Sequence, residues 1–410
     1  MILNVCFISS RLLGGILLVS GSCIGAGMLA LPIITGLAGL IPSMVIFLLT
    51  WLFMLSTSLL LLEVSLNLSF GINLVTMVEQ TLGRIGKIVC WSTFLFLFYC
   101  LMVAYAVGSG NLFMGVLKEI TGLQFPYYLG SLFFVSSFGI AVYFGTESVD
   151  RFNRILMLGL VISYIIILWA AWRYIDVSRL SNMAWGYCPF IIPVTVVGFG
   201  FHQLVPTLTT YFQGNERELK KTLVIGSLIP LVVYFFWEVL VLGIVPMEGD
   251  GGIVETLYRG DTAAQALLVV VHYGWLGGII QCFAFFALIT SFLGVSLSFV
   301  DFLADGLRIE KSCKGKVLLC LMVMLPPFIL SLSYSEIFLG ALNVAGGIGA
   351  AILFGVLPPM MVWKLRYYEG MRTVVCLPGG KKILMLVLLY AFIVILFELL
   401  QVFGFSDVFS

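Results

Sequence analysis

Two hydrophobic segments of this 410-residue chain are interrupted by glycine, and they occupy matching positions in its two halves. The first begins at Gly21 and reaches Pro32; the second begins at Gly198, 177 residues later, and reaches Pro206. Both lie in apolar stretches long enough to cross a bilayer, yet glycine weakens a helix and proline removes a backbone donor. Non-helical backbone at membrane depth is tolerated only where it is buried or lines a cavity. Paired breaks of this kind are typical of the binding sites of secondary transporters.

The composition independently indicates a membrane protein. Hydrophobic residues make up 61% of the chain and charged residues only 10%, which is too few to cover the surface of a soluble protein. The net charge of +1 provides no field for nucleic acid or another polyanion. Two histidines and nine scattered cysteines offer no metal-ligand spacing, so we expect neither a metal nor a cofactor. We therefore expect an all-α polytopic membrane protein whose surroundings are lipid, with no obligate protein partner.

Eleven membrane spans are predicted from hydropathy. They lie near 12–35, 41–68, 88–116, 127–145, 154–173, 189–212, 222–245, 275–300, 317–332, 337–363 and 383–404. With the N-terminus in the cytoplasm, all but four of the 21 lysine and arginine residues fall on the cytoplasmic side, the exceptions being Lys118, Arg173, Arg179 and Arg259. This bias predicts a cytoplasmic N-terminus and a C-terminus on the outer, periplasmic side. The apolar stretch 262–273 is too short to span and is interpreted as a helix on the outer surface.

The spacing of the breaks predicts the domain organisation. Five spans separate Gly21 from Gly198, so spans 1–5 and 6–10 form two predicted repeats, about 12–173 and 189–363. Because five is odd, the second repeat is inverted in the membrane relative to the first. The span at about 383–404 stands outside the repeats, and residues 1–410 form a single transmembrane domain.

Unwound helices can bind a zwitterion without basic or acidic side chains. The N-terminal end of a half-helix offers free N–H groups and partial positive charge to a carboxylate, while freed carbonyls suit an ammonium group. Phe199 and Phe201 add an aromatic wall that suits an aromatic side chain. The alternatives are that the glycines are close-packing points between helices and that both rings face lipid or core. The predicted substrate-binding residues are Gly21, Ser22, Ile24, Gly25, Ala26, Gly27, Gly198, Phe199, Gly200, Phe201 and His202.

Polar residues inside the spans are candidates for ion coupling, because intramembrane ionisable groups are costly and commonly functional. His202 is one, with a neutral histidine bonded to a neighbouring group as its alternative. Thr290, Ser298 and Asp301 share one face of span 8, where hydrogen bonding between helices is the alternative role. The full set of candidates is Glu63, His202, Thr290, Ser291, Ser298 and Asp301. Glu238 and Glu398 fall in the outer thirds of their spans and are weaker candidates.

Asp301 and Asp305 also raise the alternative of an intramembrane enzyme. Paired aspartates four residues apart beside basic residues can hold magnesium and a diphosphate. That chemistry needs more ligands than one pair provides. A passive channel is a further alternative, and it would never carry a solute beyond equilibrium.

Seven motifs in order along nearly the whole chain are similar to those of a known family. They are Ile24–Pro32, Leu59–Val64, Gly198–Pro206, Ile225–Pro230, Thr290–Val295, Asp301–Asp305 and Leu325–Pro327. In these motifs the chain resembles the bacterial aromatic amino acid permeases of the hydroxy/aromatic amino acid permease family, within the amino acid–polyamine–organocation superfamily. The resemblance implies eleven transmembrane helices with a LeuT-like 5+5 inverted repeat, in which the broken helices 1 and 6 form the substrate site.

The resemblance also implies a function. It implies import of tyrosine, tryptophan or phenylalanine across a bacterial inner membrane by proton symport, which excludes an enzyme. Some proton-coupled relatives carry a basic residue in span 5 in place of a sodium site. Span 5 here, from Ile155 to Trp172, has no lysine or arginine, so sodium remains the alternative coupling ion. A carrier of the same fold for another neutral amino acid remains the alternative function.

Overall fold

The computed structural model describes residues 10–403 apart from 69–71, 123–125, 272–273, 334–336, 371–373 and 375. Within that part of the chain, all regular structure is helical, as the composition predicts. The first half contains α1 (Ser10–Cys23), α2 (Ala26–Thr35), α3 (Leu40–Asn67), α4 (Leu74–Thr121), α5 (Tyr127–Phe144) and α6 (Thr146–Ala171). The second half contains α7 (Cys188–Gly198), α8 (Val205–Tyr211), α9 (Glu216–Ile244), α10 (Ile253–Tyr258), α11 (Ala263–Val270), α12 (Gly274–Leu307), α13 (Cys313–Ser333), α14 (Phe338–Val344), the π-helical segment Ala345–Val356, α15 (Leu357–Tyr367) and α16 (Gly380–Val402).

The helices confirm a multi-pass membrane protein. Nine helical segments among the described residues are long and apolar enough to span a membrane, and the bent pair Arg11–Cys23 and Ala26–Thr35 is a tenth. The predicted span 127–145 corresponds to α5, whose apolar part Tyr128–Phe144 is shorter than the others. The number of eleven crossings therefore stays a prediction. The short helix expected within 262–273 is α11, and residues 272–273 lie outside the described part.

The first predicted break is present. Helix α1 ends at Cys23, α2 begins at Ala26, and the two axes differ by 51°. Gly25 lies between them in an extended backbone conformation, with φ −174° and ψ −145°. A Cβ atom at Gly25 would collide with the hydroxyl of Ser291 on α12. Glycine is therefore needed here because α12 approaches the unwound backbone closely.

The second predicted break is present too. Helix α7 ends at Gly198, residues 199–201 are non-helical, and a short 3₁₀ turn, His202–Leu204, leads into α8. The N–H of Gly200 donates to the Val197 carbonyl at 3.1 Å, which closes the end of α7. Pro206 lies in the first turn of α8, where its missing N–H costs no helical hydrogen bond. Both halves of the chain thus contain a half-helix pair.

The described helices α2 and α7 meet at the centre of the bundle. Helix α7 packs against α2, α3, α14 and the π-helical segment, while α9 packs against α1, α2 and α3. Gly346 of the π-helical segment has no room for a Cβ because the Pro193 carbonyl of α7 fills that space. Small residues therefore bring the backbones of these elements into direct contact, as in other membrane helix interfaces.

A buried ion pair fixes the C-terminal end of α3 to α15. Arg366 donates from Nε and Nη2 to the two carboxylate oxygens of Glu63, both at 2.5 Å. The exposed fraction is only 2% for Glu63 and 6% for Arg366. The N–H of Cys376 donates to Glu63 at 3.0 Å, and Arg366 also donates to the Leu377 carbonyl at 2.8 Å. The pair therefore holds the segment after α15 against two helices.

Replacing Glu63 by glutamine should destabilise the protein by about 3–5 kcal/mol, because it leaves the Arg366 guanidinium buried without a counter-charge. Thermal unfolding of the purified protein in detergent would measure this. Glu79→Gln is the matched control: it breaks the exposed Glu79–Lys87 pair, whose side chains are 44% and 45% exposed, and should cost at most about 1 kcal/mol. Equal losses in both variants would contradict a stabilising role for the buried pair.

Candidate functional site

The two helix breaks lie directly against each other. A Cβ atom on Gly27 would lie 3.7 Å from the Cα atom of Gly198, so the two glycines face one another. The Ser22 hydroxyl donates to the Gly200 carbonyl at 3.3 Å, and the Gln203 amide donates to Ser22 at 3.4 Å. Two segments that begin 177 positions apart, at Gly21 and Gly198, thus form one continuous region at the breaks.

Side chains of α9 cap carbonyl groups that the breaks release. The Tyr234 hydroxyl lies 2.6 Å from the Cys23 carbonyl and 2.7 Å from the Gly198 carbonyl, so it shares its proton between the two breaks. Trp237 donates from Nε1 to the Met28 carbonyl in the first turn of α2 at 2.9 Å. Both side chains are essentially fully buried. Helix α9 therefore holds the relative position of the two breaks.

The N-terminal end of α2 offers backbone donors, as predicted. One of these donors is occupied in this conformation: the Ala26 N–H donates to the Ser291 hydroxyl at 2.8 Å. Gly25 and Ala26 are buried, whereas Ser291 is partly exposed. A carboxylate that bound here would replace or bridge to the Ser291 hydroxyl, which acts as a neutral substitute for an anion at this helix end.

The two phenylalanines of the second break are covered by protein. The Phe199 ring makes edge contacts with Tyr234 and Phe47, at centroid distances of 5.2 Å and 6.4 Å. Phe201 lies beside the imidazole of His202 at 5.2 Å. Neither Phe199 nor Phe201 has measurable exposure. The role of these rings in binding a substrate ring stays a prediction, and it requires side-chain movement from this conformation.

His202 is also fully buried. Its Nε2 atom lies 2.8 Å from the Thr57 hydroxyl on α3. Its ring stacks on Phe354 of the π-helical segment with centroids 4.7 Å apart and planes 14° apart. The imidazole therefore links the second break to two neighbouring elements.

Exposure differs between the two ends of the breaks. Polar or small residues on the side predicted to face the cytoplasm are exposed, namely Ser22, Gln203, Thr207, Gly294 and Ser298. Residues on the opposite side are almost completely buried, namely Leu31, Ile34, Thr35, Ile191 and Val194. In the predicted orientation, residues around the breaks are therefore more exposed on the cytoplasmic side than on the opposite side.

The other residues of the first break have ordinary helical surroundings. The Ile24 N–H donates to the Ser20 carbonyl at 3.0 Å, as at the end of a regular helix. A Cβ atom on Gly21 would lie 3.1 Å from the terminal methyl carbon of Met157, on α6. These two residues lie next to the unwound region rather than in it.

The hydroxyl candidates for ion coupling on α12 have local partners. Thr290 donates to the Phe286 carbonyl at 2.8 Å, and Ser298 donates to the Gly294 carbonyl at 2.9 Å. Such bonds within one helix leave the hydroxyl lone pairs free but do not bring several oxygens together. Of the α12 candidates, only Ser291 contacts a break.

The acidic candidates are engaged elsewhere. Asp301 pairs with Lys311 at 2.8 Å, and Asp305 is exposed. Glu63 is bound to Arg366. Among the described residues, no group of three or more histidine, cysteine, aspartate or glutamate side chains could hold a metal ion. This arrangement provides no support for a magnesium site at Asp301 and Asp305.

Sequence reasoning did not identify the α9 side chains or Thr57. Tyr234 and Trp237 lie among many aromatic residues. The only signal that each carries is a polar atom in an apolar span near Glu238, which Trp237 directly precedes and from which Tyr234 is one helical turn away. Tyr234 and Trp237 bond to the backbone carbonyls of Cys23 and Met28, which lie more than 200 positions earlier in the sequence. A single sequence carries no record of such pairings.

Comparison with known proteins agrees with these features. The sequence profile described as the tryptophan/tyrosine permease family matches residues 8–398. The chain is 30% identical over 367 residues to the tryptophan-specific transport protein of Haemophilus influenzae, covering 86% of this chain and 87% of that protein. It is 30% identical over 360 residues to tyrosine-specific transport system 1 of the same organism, covering 87% and 89% respectively.

A solved structure supports the fold. The crystal structure of MhsT in complex with L-phenylalanine superposes with a TM-score of 0.64 and 16% identity, covering 94% of this chain and 99% of that one. The two broken helices therefore belong to a LeuT-like fold, as expected. The protein is a transporter and not an enzyme, and the chain belongs to the tryptophan/tyrosine permease family.

Proposed function

We propose that this protein imports tryptophan or tyrosine across a bacterial inner membrane by proton symport. The observation that carries the proposal is the contact between two unwound segments inside the membrane, where backbone donors and carbonyls lie beside aromatic rings. The names of its relatives, a tryptophan-specific and a tyrosine-specific transport protein, support an aromatic substrate. No cofactor or obligate partner protein is part of the proposal.

The substrate carboxylate binds at the N-terminal end of α2 in this proposal. The Ala26 N–H and the Ser291 hydroxyl are the nearest donors, and the α2 dipole favours the negative charge. Carbonyls of the breaks, such as those of Cys23 and Gly198, suit the ammonium group. The substrate ring then packs against Phe199 or Phe201, where each aromatic pair contributes about 0.5–1.5 kcal/mol beyond burial.

Transport follows from a change in which end of the breaks is open. The substrate stabilises whichever conformation encloses it best, and it can shift the equilibrium only by the difference in its affinity for the two states. The N-terminus lies in the cytoplasm and the C-terminus in the periplasm in this proposal, in keeping with the distribution of lysine and arginine. The greater exposure of residues on the cytoplasmic side of the breaks supports release of the substrate to the cytoplasm.

Uptake into proteoliposomes tests the function. Labelled tryptophan and tyrosine should each accumulate above equilibrium when the liposome interior is alkaline, by up to about tenfold per pH unit for one proton per substrate. Unlabelled aromatic amino acids should suppress this uptake, whereas leucine and serine should not. Equal suppression by leucine would indicate a broader neutral amino acid carrier, and accumulation driven only by a sodium gradient would refute proton coupling.

Gly25→Val should reduce uptake at least tenfold while the protein stays folded, because its side chain occupies the space of the Ser291 hydroxyl beside the proposed carboxylate site. Gly278→Val is the matched control, since that exposed glycine of α12 has no atom within 4 Å of its Cβ position. Uptake per folded molecule, with folding checked by size-exclusion chromatography, is the measurement. Normal transport by Gly25→Val would exclude this position from the substrate site.

His202→Ala should lower stability by about 2–5 kcal/mol, the range for truncating a large buried side chain, and leave the pH profile of uptake by the surviving protein unchanged. The reason is that the imidazole is bonded to Thr57 and stacked on Phe354. His202→Gln, which can still bond to Thr57, should recover most of the stability. A shifted pH profile in either variant would place His202 in ion coupling.

A further inference from the structure

An ionisable side chain is buried beside α2, at the end of that helix opposite the proposed carboxylate site. Glu238 of α9 has no measurable exposure. Its Oε1 atom contacts the hydroxyl of Thr35, the last residue of α2, and its Oε2 atom has no hydrogen-bond partner. Unsatisfied buried carboxylate oxygens are rare, because leaving such an atom unpaired is costly.

The hydrogen bonds at Thr35 bear on the protonation state of Glu238. The Thr35 hydroxyl contacts two oxygens, the Leu31 carbonyl at 2.6 Å and the Glu238 carboxyl group. A hydroxyl has one proton to donate, and a carbonyl has none. An ionised Glu238 would have to share the single Thr35 proton with the Leu31 carbonyl, whereas a protonated Glu238 can donate to Thr35 while Thr35 donates to Leu31. The contact therefore favours a neutral Glu238 when α2 is docked on α9.

The electrostatic surroundings agree with a neutral carboxyl group. Thr35 lies at the C-terminal end of α2, where the helix dipole places partial negative charge that disfavours an anion. Within the described part of the chain, no basic side chain contacts Glu238. The titratable groups of α9 and of the elements packed against this half of it are Cys23, Tyr164, Arg173, Tyr174, Asp176, Arg179 and Tyr234.

The two outermost charged groups in this set, Asp176 and Arg179, form an ion pair with each other. Arg179 donates to the Ile244 carbonyl and lies 3.6 Å from Asp176. Hydrogen bonds from the Ser178 hydroxyl and N–H, followed by the charge of Arg179, hold the pKa of Asp176 below its usual value. Asp176 therefore stays ionised at mildly acidic pH, and it is not the group that takes up a proton there.

The side of the bundle predicted to face the periplasm is open near the C-terminal end of α2. A cavity of about 430 Å³ opens there, and its lining includes Gly36, Gly39, Arg179, Asn182, Leu242 and Ile253. Gly36 follows Thr35, and Leu242 lies four residues beyond Glu238, so the backbone of the cavity lining begins about 6 Å along the α9 axis from that of Glu238. On the other side, Tyr234 lies one turn before Glu238 and contacts both breaks.

We infer that Glu238 binds the coupled proton, and that α2 connects this proton to the substrate. The inference rests on the proposed function. The proton site at Thr35 and the carboxylate site at Ala26 lie at opposite ends of one ten-residue helix, about 15 Å long. Ionised Glu238 accepts a proton from water in the outer cavity, and the resulting O–H donates to Thr35, which allows α2 to dock. Loss of the proton toward the breaks reverses the docking.

Glu238→Gln separates coupling from transport, because the glutamine amide can donate to Thr35 permanently but cannot exchange a proton. In proteoliposomes, tryptophan exchange at equal pH should stay within about threefold of the wild type. Accumulation driven by a pH gradient should fall to a ratio of one, and tryptophan should no longer cause proton entry, measured with an internal pH-sensitive dye.

Glu398→Gln is the matched control. Glu398 is another buried glutamate in the outer part of a span, but it accepts a hydrogen bond from the Asn343 amide at 3.1 Å, which a glutamine oxygen can replace. It should accumulate tryptophan as the wild type does. Thr35→Val is a second test that leaves Glu238 in place: without an acceptor for its proton, accumulation should fall at least threefold, whereas Thr35→Ser should restore it.

The outcomes separate the two proposals. If Glu238→Gln accumulates tryptophan as the wild type does, the role of Glu238 is overturned and proton symport stays intact. If Glu238→Gln fails to fold, wild-type accumulation by Thr35→Val leads to the same conclusion. Equal loss of coupling in Glu398→Gln overturns it too, because the effect then belongs to any buried carboxyl group. A wild-type protein that transports tryptophan without responding to a pH gradient overturns proton symport itself, and the inference with it.

Discussion

The structure depends on one constraint: backbone groups that helix breaks release inside a membrane need partners other than bulk water. Here the partners are side chains from neighbouring helices. One tyrosine hydroxyl serves carbonyls of both breaks, one serine hydroxyl receives an N–H of α2, and one tryptophan N–H serves the next turn. The glycines at the breaks allow these side chains to reach the backbone, so glycine content and hydrogen bonding act together.

In the proposed substrate site, these partners would also allow a region without charged side chains to bind an amino acid. Each protein bond at the breaks is neutral and replaceable, so a zwitterion can exchange it for a stronger, charge-assisted one. The same helix α2 that presents its N-terminal end to this region presents its C-terminal end to Glu238. A short, stiff half-helix is suited to transmit a change at one end to the other, because its internal hydrogen bonds keep its length constant.

The sequence allowed the main architecture to be predicted, for local physical reasons. Membrane spans and helix breaks depend on local features: long apolar runs, the positions of basic residues, and the glycines at 25 and 200. The broken helices could therefore be predicted from the sequence, and the family motifs added the LeuT-like fold. The pairing of Ser291 with Ala26 and of Thr35 with Glu238 joins residues 265 and 203 positions apart. Neither residue type nor spacing predicts such contacts. The sequence therefore favoured Glu63 over Glu238 as a candidate for ion coupling, although Glu63 is bound to Arg366 and Glu238 has an unpaired carboxyl oxygen.

The bond between Glu63 and Arg366 has a consequence for biogenesis. The two residues are 303 positions apart, so the third helix leaves the ribosome long before its basic partner is made. During that interval the Glu63 carboxyl group has no counter-charge, and it must stay near the membrane surface, where water can solvate it. The C-terminal end of α3 can therefore reach its final position only after α15 has been made. Formation of this ion pair thus indicates that the bundle is nearly complete. A chain truncated before Arg366 would display an unpaired acid in a transmembrane helix.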